Sequence, residues 1–189
     1  IVGNAGCANA GTGEGGLKDA RETAEIVAHT IGCRVEEVLV ASTGVIGVRL
    51  PMEKVRAGIA EAGRRISRHA GADAARAIMT TDTKPKEVAV EFPVADATCV
   101  VGGMAKGAGM IAPNLATMLA FFTTDAAVSS ALLRRALVEA VGDSLNRITV
   151  DGDTSTNDCA VVLASGARPA RAIDRESPDF DAFRAALTD

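Results

Sequence analysis

A chain of 189 residues, 48% hydrophobic and 23% charged, has ample material for a folded core, which excludes general disorder. The formal net charge of −4, with five Phe and no Trp or Tyr, excludes a polybasic reader of nucleic acid or membrane surfaces. It also leaves almost no base-stacking platform. No apolar run reaches the eighteen or so residues of a membrane-crossing helix.

The four cysteines, Cys7, Cys33, Cys99 and Cys159, form no CxxC pair, and only His29 and His69 could assist them. A zinc site is not expected, nor any cofactor; the cysteines read as buried, reduced thiols of a cytosolic protein. The opening Ile-Val-Gly-Asn-Ala lacks an initiator Met and a basic n-region, and reads as the interior of a longer protein.

In chain order, the first sixteen residues hold six glycines and predict a loop. Leu17, Ala20, Ala24, Val27 and Ile31 then recur at helical spacing over 17–31. Residues 38–42 predict a short buried strand. Pro51 opens a second helix, with a stripe from Met52 through Val55, Ile59, Ala62 and Ile66 to His69. A shorter helix is predicted over 72–79. Val88, Val90, Phe92 and Val94 alternate as in a half-buried strand, with 97–101 as its partner across a turn. A glycine-rich loop follows over 102–114, then a buried strand over 117–122. A helix over 129–146 turns Leu133, Leu137, Val141 and Leu145 inward from a Ser129 or Ser130 cap. Ile148–Val150 and Ala160–Ala164 flank a polar loop, and Ser177-Pro178 starts a last helix carrying Phe180, Phe183 and Leu187. Helices alternating with strands predict a single layered α/β domain.

Two motifs are weaker than they look. GTGEGG at 11–16 matches the dinucleotide pattern GxGxxG, but the reading offers no strand before it and Ser42 where an acid should end the second strand. DGDTSTND at 151–158 resembles a calcium loop, but Thr156 replaces the required Gly and Val162 the bidentate Glu. A polar turn whose Asp and Thr side chains bond their own backbone explains it better. The two histidines lack a Ser or Cys partner, so a histidine-driven triad has no material.

The segment KGAGMIAPNLATMLAFF at 106–122 is unusual. Thr117 stands between a Pro/Asn loop and an apolar strand, eleven residues after Lys106. N-terminal nucleophile enzymes use this arrangement, the α-amine of a Thr becoming its general base once the preceding peptide bond breaks. Ordinary β-propensity also explains a Thr at a strand start. In ASTGVIG at 41–47, the Thr43 hydroxyl and the Gly44 N–H could donate to one oxyanion, or simply end a strand.

These segments together resemble the glutamate N-acetyltransferase (ornithine acetyltransferase) family of arginine biosynthesis. The resemblance runs in order through Gly3–Glu14, VLVASTGVIG at 38–47, ARAIMTTDT at 75–83, KGAGMIAPNLATMLAFF and DGDTSTND. Gly6, Cys7 and Gly11 depart from the family's NSGNANACTGE run. Family members are roughly twice as long, so the chain resembles their central piece.

The resemblance implies an α/β sandwich like that of self-cleaving aminopeptidases. It implies autocleavage between Ala116 and Thr117, giving an α-chain part over 1–116 and a β-chain part over 117–189. Thr117 would carry acetyl from N-acetylornithine to glutamate, and some members also accept acetyl-CoA. Thr43 and Gly44 would hold the oxyanion, with Thr80 and Lys106 binding substrate. A cytoplasmic heterotetramer of two α and two β chains is implied as well. The alternatives are a hydrolase of the same self-cleaving architecture, an aminopeptidase or amidohydrolase in which water is the acceptor, and a folded but inactive fragment.

Overall fold

The computed structural model describes residues 1–112 and 118–189. The chain divides into two compact units, Ile1–Lys84 and Pro85–Asp189. The architecture is mixed α/β.

In the first unit, β1 (Val2–Cys7) and β2 (Val40–Val45) pair in parallel, from Val2 opposite Val40 to Gly6 opposite Gly44. The predicted opening loop is therefore a strand for six of its residues. VGNAGC carries no alternation of large apolar residues, and its ladder comes from the partner strand rather than from its own propensity. The connection is α1 (Gly13–Ile31), a parallel crossover. Its buried face is Gly16, Asp19, Thr23, Ala24, Val27 and Ala28, while Leu17 and Ile31 stay about half exposed. The helix is thus rotated from the expected stripe toward polar residues.

Asp19 can be buried because Arg49 grips it, Nε donating to Oδ2 at 2.9 Å and Nη2 to Oδ1 at 2.5 Å. Thr23 Oγ1 donates back to the Asp19 carbonyl at 2.8 Å. Next, α2 (Met52–Arg65) starts after Pro51 as expected but stops short of His69, and Ile59 is its one buried residue. The unit closes with α3 (Gly71–Ala77).

The second unit is a four-stranded sheet in the order β3 (Lys86–Val94), β4 (Ala97–Lys106), β5 (Leu119–Thr124), β6 (Cys159–Ala164). β3, β4 and β5 are antiparallel, and β6 lies parallel to β5. The glycine-rich stretch after Val101 was expected to be a loop, yet β4 runs on to Lys106. A reason is visible at Gly103. A Cβ there would sit 2.5 Å from Phe122 Cδ1, so the ring of the neighbouring strand fills the space the glycine leaves.

The chain from β5 to β6 passes through α4 (Ser130–Asp143), which packs on β6, while α5 (Pro178–Thr188) packs on β3. Leu133, Leu137 and Val141 face the core as expected, together with Ala136 and Ala140. Residues 148–150 form no strand. α5 begins as its sequence predicts: Phe180 N–H donates to Ser177 Oγ at 3.3 Å and Pro178 occupies the first turn. Phe180, Phe183 and Leu187 then join Phe92, Val94, Cys99 and Val101 in the core, with the Phe92 and Phe183 rings tilted at a centroid separation of 5.6 Å. Among the described residues, no helix is long and apolar enough to cross a membrane.

Candidate functional site

The predicted site residues fall in both units, each of which presents a distinct local geometry. In the first, the hydroxyl–glycine pair lies on β2. Thr43 is 3% exposed, and its neighbour Ser42 is buried as well. The ladder changes register here, Cys7 pairing with both Val45 and Thr43. Such an irregularity re-aims the groups next to it. Gly44 has φ +130°, and a Cβ on it would lie 2.2 Å from the Gly6 carbonyl carbon and 2.6 Å from Cys7 N. Both the backbone conformation and the closeness of β1 demand glycine at this position.

Thr80 is exposed, on the bend following α3, where its N–H donates to the carboxylate of buried Asp82 at 3.3 Å. Its environment is unlike that of Thr43.

The glycine-rich GTGEGG has a structural use in the same unit. Asn9, at φ +54°, donates from Nδ2 to the Gly16 carbonyl at 2.9 Å, and Thr12 Oγ1 donates to Asn9 Oδ1 at 2.9 Å. A Cβ on Gly16 would lie 1.8 Å from Thr12 Oγ1. A strand does precede the motif, contrary to the sequence reading, so that objection to dinucleotide binding falls. The other stands: β2 ends without an acid, and Gly16 gives its space to a side chain of the protein itself.

In the second unit, three strands share one end. Lys106, the last residue of β4, pairs with Leu119, the first residue of β5, and Leu119 pairs with Cys159, the first of β6. Lys106 is 1% exposed and engaged in interactions within the protein. The ordinary setting of a lysine, a solvated head group, is not met. A buried ammonium is costly unless other groups meet its charge, which makes this lysine part of a built polar environment. Ala116 and Thr117 lie outside the described residues; Met118 follows Thr117 directly and is buried. The Cys159 thiol is pushed up by burial, which keeps it protonated and unreactive.

The 151–158 loop does more than the self-bonded turn expected of it. Asp151 does accept from its own Asp153 N–H, at 3.3 Å. Its carboxylate also reaches across to Met110 N–H at 2.6 Å and Ile111 N–H at 2.9 Å, bonds that hold its pKa below the usual aspartate range against the cost of burial. At the other end of the loop, Asp158 Oδ1 accepts from Met118 N–H at 2.8 Å, and Cys159 N–H donates to the Met118 carbonyl at 2.9 Å. Reading the sequence missed these anchors because their partners are backbone groups about forty residues away. The only available signal was the pair of aspartates closing one polar loop beside a strand.

Among the described residues no cluster of His, Cys, Asp and Glu could hold a metal. All four cysteines are free, with Cys99 buried and the other three partly exposed.

Comparison with known proteins agrees with the resemblance in the sequence. The model of the ArgJ family matches residues 1–189. The chain is 56% identical, over 99% of its length, to the arginine biosynthesis bifunctional protein ArgJ of Symbiobacterium thermophilum, and 51% identical over its whole length to that of a Synechococcus strain. It spans 46% and 45% of those two proteins, just under half. Among solved structures, ArgJ of Bacillus halodurans matches with a TM-score of 0.55 and 40% identity, over 62% of this chain and 60% of that one. Ornithine acetyltransferase of Mycobacterium tuberculosis, solved with ornithine, matches with a TM-score of 0.52 and 43% identity, over 60% of this chain and 61% of that one. With its whole length matched by the family model and half its residues shared with such relatives, the chain belongs to the ArgJ family.

Proposed function

We propose that this chain is the central part of a self-processing acyltransferase of arginine biosynthesis, moving acetyl from N-acetylornithine to glutamate. The observation that carries this reading is the 56% identity over 99% of the chain to a protein named as the bifunctional ArgJ. The likeness to an ornithine acetyltransferase solved with ornithine supports the substrate class.

In this reading the chain is cut between Ala116 and Thr117, within the span of the second unit, so that 1–116 and 117–189 belong to an α and a β chain of one enzyme. The freed α-amine of Thr117, with a reference pKa of about 7.7–8.0, takes the proton of its own hydroxyl near neutral pH. Oγ attacks the acetyl carbonyl carbon of N-acetylornithine. The negative charge that develops on the acetyl oxygen meets the Thr43 hydroxyl and the Gly44 N–H. The C–N bond breaks as the α-ammonium returns its proton to the leaving amine, and ornithine departs. The glutamate amine then attacks acetyl-Thr117, yielding N-acetylglutamate and regenerating the hydroxyl. Thr80 and Lys106 bind substrate, Lys106 as a point charge for a carboxylate. Acetyl-CoA as a second donor, a heterotetramer of two α and two β chains, and a cytoplasmic location complete the proposal.

Intact mass and N-terminal sequencing of the complete protein test it. The C-terminal product begins Thr-Met-Leu-Ala, and Thr117→Ala leaves the protein uncut and without transferase activity. Any other start, or an active uncut variant, refutes the assignment of Thr117.

A further inference from the structure

We propose that Asp158, with Asp151 as its counterpart, is a positioning residue for the chemistry at Thr117: the two carboxylates that close the 151–158 loop grip the backbone on either side of the segment containing the cleaved bond. This inference rests on the proposed function, because it presumes that Thr117 is the nucleophile.

The argument starts from where the β5–β6 ladder begins. The pairing starts at Leu119 opposite Cys159, and Cys159 N–H also reaches back to the Met118 carbonyl. Just ahead of that pairing, Met118 N–H donates to the Asp158 side chain at 2.8 Å. The carboxylate extends the ladder to Met118, the residue that follows Thr117 in sequence. Hydrogen bonds to an ionised carboxylate are the stronger kind.

On the other side, Asp151 takes the N–H groups of Met110 and Ile111, and Val150 N–H donates to the Ile111 carbonyl at 2.8 Å. Met110 sits at φ +55°, a conformation uncommon for a side chain of its size, which these bonds help to maintain. One short loop thus holds Met110 and Ile111 through Asp151 and Met118 through Asp158. Internal bonds stiffen that loop, with Thr156 Oγ1 donating to Asn157 Oδ1 at 2.6 Å and Asn157 N–H to Ser155 Oγ at 3.1 Å.

Self-cleavage needs this kind of control. Thr117 Oγ must reach the Ala116 carbonyl carbon; the O–C bond forms as the C–N bond to Thr117 breaks, the hydroxyl proton passes to the freed amine, and water then hydrolyses the ester. An error of an ångström in such an approach costs about 10²-fold in rate. Acetyl transfer uses the same Oγ, so the grip matters again after cleavage, in kcat rather than in substrate affinity.

The experiment follows self-cleavage of the complete protein by intact mass, with kcat and KM per cleaved molecule and thermal melting of each variant. Asp158→Ala is expected to slow cleavage by about 10²-fold and to lower kcat with KM unchanged. Asp158→Asn keeps an acceptor oxygen in the same place and is expected to recover most of the lost rate. Asp151→Ala acts through the more distant anchor and gives a smaller loss. Cleavage of Asp158→Ala at the wild-type rate overturns the inference while leaving Thr117 as nucleophile. Should Asp158→Ala fail to fold, Asp151→Ala decides: cleavage and kcat at the wild-type level in that variant also overturn it. A wild-type protein that never cleaves refutes the reading of Thr117 itself, and the inference falls with it.

Discussion

Both units contain a parallel strand–helix–strand crossover, β1-α1-β2 in the first and β5-α4-β6 in the second, and they secure it by different means. The second unit holds all five phenylalanines of the chain; Phe92, Phe180 and Phe183 are almost fully buried, and α4 and α5 cover the sheet. The first unit buries mostly alanines, with Val27, Leu50, Ile59 and Ile78 as its larger apolar residues. What it lacks in side-chain volume it makes up in close backbone approach and polar ties: Gly44 against Gly6, the Asn9–Thr12–Gly16 knot, and Arg49 on Asp19. A two-stranded sheet has little stability of its own, so these ties carry a large share of that unit. The same supersecondary form can therefore rest on a jigsaw of rings or on a lattice of glycines and hydrogen bonds. The two respond differently to substitution.

The largest effect expected is on the aromatic side of this contrast. Phe183→Ala removes a ring with no exposed surface and should cost about 3–5 kcal/mol. Val27→Ala on α1 removes two methyl groups and should cost about 1–2 kcal/mol. Urea denaturation of the complete protein measures the losses, and hydrogen exchange tells which unit loosens. Equal losses from the two changes would mean that the first unit depends on its apolar core as much as the second.

The next effect concerns catalysis. If the β1–β2 lattice exists to present Thr43 and Gly44, then Thr43→Ala should lower kcat by about 10²–10³-fold with a modest change in KM, as for a donor used mainly in the transition state. An effect confined to KM would turn Thr43 into a binding residue and remove the functional reason for the lattice.

The same contrast decided what was legible in the sequence. In the second unit large apolar residues mark the faces, so β3, α4 and α5 were readable from periodicity and from the Ser177-Pro178 start signal. In the first unit β1 was not readable, because Val-Gly-Asn-Ala-Gly-Cys has no face to show until its partner is in place. α1 was found but rotated, since a bidentate arginine thirty residues away lets Asp19 be buried where Leu17 was expected. β4 ran past its predicted end because Gly102 and Gly103 look like loop until Phe122 is placed against Gly103. For the candidate site, short-range motifs pointed to Thr43, Gly44, Thr80 and Lys106. They did not reveal that Lys106 is buried, or that Asp151 and Asp158 serve backbone groups far along the chain. Such pairings belong to the register of the sheet.

Lys106 offers a smaller and more discriminating test. Lys106→Met removes the charge while keeping most of the apolar stem. If the ammonium holds a substrate carboxylate, KM should rise by about 10–100-fold, the worth of a charged hydrogen bond, and the pH profile of kcat should stay in place. If it acts chiefly on the α-amine of Thr117, losing the positive charge raises that amine's pKa, and the acidic limb of kcat moves to higher pH with KM unchanged. We expect the first outcome, since a lysine presents a compact charge suited to a carboxylate.

The smallest effect isolates the polar ties of the first unit through pH. Arg49's hydrogen bonds hold the Asp19 carboxyl below the usual aspartate range, although burial works against them. The folded protein therefore binds this proton less readily than the unfolded chain, whose aspartate titrates near about 3.9. The stabilisation is complete above that value and is lost as the pH falls through the depressed one. Asp19→Asn keeps the shape but cannot titrate. Urea midpoints should then show the wild type ahead by a modest margin at pH 7, because the Arg49 side chain is 57% exposed and solvent screens the pair. As the pH falls below the unfolded value the margin should narrow, closing only once the depressed value is passed. Hydrogen exchange should place the loosening in β1, α1 and β2, with the amides of β3 and β4 unchanged between wild type and variant. A margin that stays constant with pH would mean that Asp19 acts through shape alone. Equal loosening in both units would break the contrast between lattice and core.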